Sequence, residues 1–152
     1  MNALDSWSPK VLSLLRVVTG LIFLQHGMQK VLHFPPAPPL PPAAAAAAAA
    51  AKAAAAGAAP HAPSLMMTLA PASGFIELIG GILLVIGLFS RPVAFICSGE
   101  MAFAYFMAHN PRSFYPILNG GDLAVQLCFV FLYFVFAGPG PISLDALMKK
   151  RA

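Results

Sequence analysis

Residues Gly74 to Ala108 read GFIELIGGILLVIGLFSRPVAFICSGEMAFAYFMA, and this stretch decides the fold. Two apolar runs are joined only by Ser90-Arg91-Pro92, a link short enough to force an antiparallel reversal. Each run approaches the roughly 20 residues that cross a bilayer core, so a transmembrane helical hairpin is predicted. Upstream, another apolar run is opened by Ser8-Pro9, an N-cap followed by proline at the first helical position. Downstream, the aromatic-bearing loop HNPRSFYPILNGG (His109 to Gly121) leads into a further apolar run that GPGP stops.

The organisation predicted is a cytoplasmic N-terminus over 1–9, spans over 10–32, 71–89, 92–109 and 119–137, outer loops over 33–70 and 110–118, and a cytoplasmic basic tail over 138–152. The fold class is all-α: a polytopic membrane protein, an antiparallel transmembrane four-helix bundle. Composition agrees, because 59% of residues are hydrophobic and 9% charged, against roughly 25% charged in soluble domains. A cleaved signal peptide fits poorly, since Arg16 interrupts the first apolar run and no small-residue cleavage site follows. With both ends cytoplasmic, Lys10, Arg16, Arg91, Lys149, Lys150 and Arg151 lie inside and Lys30, Lys52 and Arg112 outside, the bias that sets orientation in the cell membrane. The tail SLDALMKKRA suits a short amphipathic segment on anionic headgroups.

The net charge of +4 is spread without a basic stripe, which excludes nucleic-acid binding. Cys97 and Cys128 lie inside apolar runs with no CxxC or zinc spacing, so they read as packing residues and no metal site is expected. The outer loop begins FPPAPPLPP (34–42) and continues into an alanine tract broken by Lys52. Alanine's propensity predicts a helix within Ala43 to Ala56, but its methyl groups bury too little area for a fifth span.

Each span carries an ionisable residue: Arg16, Glu77, Glu100 and Asp122. An uncompensated charge at a span centre costs about 2.5 to 3.5 kcal/mol, so these groups must face one another, water or a ligand. Counting helical rise places His26, Lys30, Glu77 and Asp122 in the outer part of the bundle, near His109 and Asn119. Arg16 and Glu100 are the preferred deeper pair, and Lys30 pairs with Glu77 or Asp122. Arg16, Gly20, Phe23, Gly27 and Lys30 share one face of the first span, while Gly74, Glu77 and Gly81 share one of the second, where small residues permit close approach. His109, nine residues after Glu100, points to the opposite side of a regular helix or belongs to the loop.

These residues and their surroundings resemble the DoxX family of small four-span membrane proteins. The matching stretches are LLRVVTGLIFLQHGMQKVLHF at Leu14 to Phe34, the hairpin from Gly74 to Phe95, EMAFAYFMAHNPRSFYPILNGGDLA at Glu100 to Ala124, and GPGPISLDAL at Gly138 to Leu147. The alanine tract departs from the family pattern and reads as an insertion or filler. Residue by residue, Arg16, His26, Gln29, Lys30, Glu77, Glu100, His109, Arg112, Asn119 and Asp122 fall on the family-like motifs. The resemblance implies a membrane subunit of a quinone- or thiol-linked redox complex.

Three readings compete. In the first, an outer pocket between helices takes a quinone or other small lipophilic ligand, with His26, Lys30, Glu77 and Asp122 bonding its head group and a partner redox protein supplying electrons. In the second, the charges pair only to fix helix packing, and the protein is a non-catalytic membrane anchor. In the third it is a small oligomeric transporter or proton relay, against which stand its few spans and the lack of an inverted repeat. Haem ligation by His26 and His109 is disfavoured, because two axial imidazoles must meet at one depth and face each other, whereas His109 falls near the rim, where a regular helix is not assured. No nucleotide loop or catalytic triad spacing is present.

Overall fold

The computed structural model describes residues 3–36, 38–56 and 65–151. It is helical, with no strand among the described residues, so the all-α class holds. The helices are α1 (Ala3–Leu32), α2 (Pro42–Ala56), α3 (Leu65–Ile86), α4 (Ser90–Ala104), α5 (Pro116–Asn119), α6 (Asp122–Ala137) and α7 (Leu144–Arg151). A π-helical turn, Tyr105–His109, continues α4. Of these, the segment Leu4–Leu32 is long and apolar enough to cross a membrane, whereas the apolar helical segments Pro71–Ile86 and Asp122–Ala137 are shorter.

Two starts differ from expectation by more than a helical turn. Helix α1 begins at Ala3, ahead of the Ser8-Pro9 cap, and runs through Pro9. Proline removes one hydrogen bond there, and the added turn is compatible with the helix dipole because Asp5 lies at its start. Helix α3 likewise begins at Leu65 rather than Pro71. The helix expected in the alanine tract is present as α2, and the end of that loop, 57–64, lies outside the described residues.

Helix α1 packs chiefly on α3 and α4 on α6, with α3 against α4 joining the two antiparallel pairs. Glycine makes the first contact possible. A Cβ on Gly81 would sit 2.7 Å from the Leu24 Cα, and one on Gly27 would strike the Leu78 backbone. Phe23 of α1 meets Phe131 of α6 edge-on at 4.8 Å, and both are fully buried with Leu84, Ala94, Cys97 and Phe134. The outward faces are apolar too: Phe75, Ile79 and Ile82 on α3, Phe95 on α4, and Phe129, Tyr133 and Phe136 on α6 are all exposed. A soluble monomer rarely presents apolar surface on this scale.

The α3–α4 reversal has a defined chemistry. Gly87, at φ 70°, ends α3 with Gly87 N–H donating to Leu84 O and Leu88 N–H to Leu83 O, the Schellman arrangement that closes helix C-termini. The N-terminus of α4 is capped from a distance: Phe89 and Ser90 N–H groups each donate to Asp145 of α7 at 2.8 Å. Arg91 in turn donates to Val135 O and Phe136 O at the C-terminal end of α6. One end of the molecule is thereby locked.

Candidate functional site

Arg16 belongs to that locked end and does not meet Glu100. It is 1% exposed, and its guanidinium donates to Pro139 O at 2.6 Å, Ile142 O at 2.8 Å and Val85 O at 3.5 Å. The expected Arg16–Glu100 pair is therefore corrected. The glycine-proline segment after α6 folds back over the helix ends and presents carbonyls nearer to the guanidinium than any acid. A carbonyl cradle fits the planar donor fork.

Away from that end, antiparallel packing brings the C-terminal turns of α1 and α4 beside the middle of α3 and the N-terminal turns of α6. Lys30 Nζ lies 2.7 Å from Glu77 Oε1 and donates to Ser73 Oγ at 3.0 Å. Ser73 Oγ donates to Glu100 Oε1 at 2.8 Å. Two carboxylates are thus linked through one ammonium and one hydroxyl. The Glu77 side chain is 3% exposed and that of Lys30 44%, so the acid is deep in the protein while the lysine reaches outward with its stem along the helix. The Oε2 atoms of Glu77 and Glu100 are both buried and have no hydrogen-bond partner.

These groups line a cavity of about 780 Å³ between α1, α3, α4 and α6, within the range of small-molecule sites. Its walls include Phe23, Ile76, Ile96, Met101, Phe103, Leu123 and Leu127. Its polar lining comprises Lys30, Glu77, Ser73, Glu100, His26 and His109. His109 is there because of the π turn. On a regular helix it would point about 180° away from Glu100, but the wider turn takes up about one residue of rotation and leaves about 80° between them. Asn110 N–H closes that turn on Tyr105 O.

Of the ten residues expected to form the pocket, His26, Lys30, Glu77, Glu100 and His109 line the cavity. Asn119 supports it from outside. It is buried and donates to Ser113 O at 2.6 Å and accepts from Gly121 N–H at 2.7 Å. His109 Nδ1 contacts Asn119 O at 3.1 Å, and Tyr105 Oη donates to Phe114 O, so the 110–121 loop is tied to α4. Asp122 and Arg112 are exposed and absent from the lining. Asp122 opens α6, where a carboxylate suits the helix N-terminus. Gln29 faces Pro35 O at 3.4 Å, and Arg16 is at the far end. Ser73 was missed: a lone serine in an apolar run carries no charge to signal it, although it lies one turn before Glu77.

No group of three or more His, Cys, Asp or Glu able to hold a metal occurs among the described residues. Cys97 and Cys128 are unpaired thiols, Cys97 buried in the core. What the geometry offers is an apolar chamber ending in a small, charge-linked polar cluster.

A helix suited to crossing a membrane, apolar outer faces and an apolar chamber that ends in a charged cluster together describe a membrane-protein architecture. The DoxX family model matches residues 11–110, and the chain belongs to the DoxX family. An uncharacterized protein of Haemophilus influenzae is 39% identical over 154 residues, covering 99% of this chain and 100% of its own. No solved structure matches.

Proposed function

We propose that this DoxX-family protein is a multi-pass protein of the cell membrane, with four spans and both termini cytoplasmic, and that it is the membrane subunit of a quinone- or thiol-linked redox complex. Its cavity receives the head group of a small lipophilic ligand, for which a quinone is the candidate. The observation that carries this reading is the apolar chamber of about 780 Å³ lined by both Glu77 and Glu100, each with an unpartnered oxygen. Packing charges that served only one another would not need the space.

The outward phenylalanines and isoleucines of α3, α4 and α6 support four spans, because water is a poor solvent for those faces. The asymmetry of basic residues supports the orientation: Lys10, Arg91, Lys149, Lys150 and Arg151 gather at the Arg16 end. A partner redox protein would supply or accept the electrons, as no redox group is contributed by the residues lining the chamber. The purely structural reading has one observation in its favour, Arg16, whose terminal guanidinium nitrogens bond backbone carbonyls rather than a group in the cavity.

The test is to purify the protein with its native lipids, extract bound lipophiles, and repeat with Glu77→Gln and His26→Ala. A quinone recovered from the wild type and lost from both variants, each still folded, is the expected result. An empty extract from folded wild-type protein would overturn the proposal.

A further inference from the structure

The polar end of the cavity is unbalanced in a way that specifies what can fill it. Glu77 Oε1 is held by Lys30 at 2.7 Å and Glu100 Oε1 by Ser73 at 2.8 Å, which leaves the Oε2 atom of each acid without a partner. A carboxylate oxygen is an acceptor. Buried acceptors lacking a donor are rare in folded proteins because each forfeits its hydration with nothing in exchange. The Glu77 carboxylate, ion-paired and 3% exposed, is the stronger case.

We infer that the cavity selects its ligand by a hydrogen-bond donor: it takes a lipophilic molecule whose polar end is a hydroxyl, of the phenol or hydroquinone class, in preference to the same skeleton ending in a carbonyl or ether. The hydroxyl is accepted by Glu77 Oε2 or Glu100 Oε2, and the ring and tail lie against Phe23, Ile76 and Phe103. A carboxylate turns about its terminal torsion at little cost, so either acid can bring its spare oxygen toward a head group held between them. The inference rests on the cavity reading above and adds the polarity of the head group. Applied to a quinone couple, it means that the diol is held more tightly than the dione.

The test uses the full chain in phosphatidylcholine nanodiscs, titrated calorimetrically with para-hexylphenol and with para-hexylanisole, its methyl ether, each corrected for partition into empty nanodiscs. The two probes differ by one donor. The phenol is expected to bind about tenfold to a hundredfold more tightly, the range for a hydrogen bond to a charged group. Glu77→Gln and Glu100→Gln, which make acceptor-only groups into amides, are each expected to narrow that gap. Equal binding of the two probes to the wild type would overturn the donor requirement while leaving the cavity reading in place. No binding by either would overturn both. The wild-type comparison decides the matter even if the variants fail to fold.

Discussion

Replacing Lys30 by methionine removes the ammonium that lies 2.7 Å from Glu77 Oε1 and nearly preserves the length of the side chain. Glu77, 3% exposed, is then left without a counter-charge. Breaking a fully buried ion pair from one side costs about 3 to 5 kcal/mol. Because the Lys30 side chain is 44% exposed, screening reduces the expected loss to about 2 to 3 kcal/mol. Glu77→Gln in the same chain removes the stranded charge, so the double variant should recover much of the loss, with a coupling of about 1 to 2 kcal/mol. Reversible unfolding in dodecylmaltoside–SDS mixed micelles, followed by near-ultraviolet circular dichroism, measures all four corners of the cycle. Additive losses, with no coupling between the two sites, would refute the ion pair as the anchor of the cluster.

Other expectations follow from the opposite end and from the α1–α3 contact. Arg16→Met leaves the carbonyls of Pro139 and Ile142 without their donor, so a loss of about 2 to 4 kcal/mol and faster proteolysis after Gly138 should appear together in limited digestion. Asp145→Ala uncaps the Phe89 and Ser90 N–H groups and should lower stability by about 1 to 2 kcal/mol in the same micelle assay. Gly81→Leu forces a side chain into Leu24, whose Cα lies 2.7 Å from the new Cβ position. A loss of about 3 kcal/mol is expected from overpacking, while Gly99→Ala, with open space at that Cβ, should leave the unfolding midpoint nearly unchanged.

The helical class and most of the long helices were legible because long apolar runs and the Ser90-Arg91-Pro92 link act locally. Helical phase likewise brought Gly27, Lys30, Glu77 and Gly81 to one contact, since those residues lie on regular stretches of α1 and α3. The failures have physical causes. Arg16 goes to backbone carbonyls of a segment far along the chain, and carbonyls leave no residue-specific trace in a sequence. Asp145 caps a helix to which it does not belong, so no capping pattern at Phe89 reveals it. His109 enters the cavity through a π turn, which breaks the regular rotation on which a phase argument depends. Ser73 could have been found by asking which hydroxyl precedes Glu77 by one turn. Asp122 was overestimated because depth alone placed it near Lys30, with no information on its direction.

The central claim is that a lipophile enters the space between α1, α3, α4 and α6 and reaches Glu77 and Glu100. Photolabelling with an alkyl-diazirine phenol, followed by peptide sequencing, tests this most directly. Labels should fall on inward residues such as Ile76, Met101 and Leu127, and should be displaced by excess para-hexylphenol. Labelling confined to the outward residues Phe75, Phe95 and Phe129, and indifferent to competitor, would contradict the account.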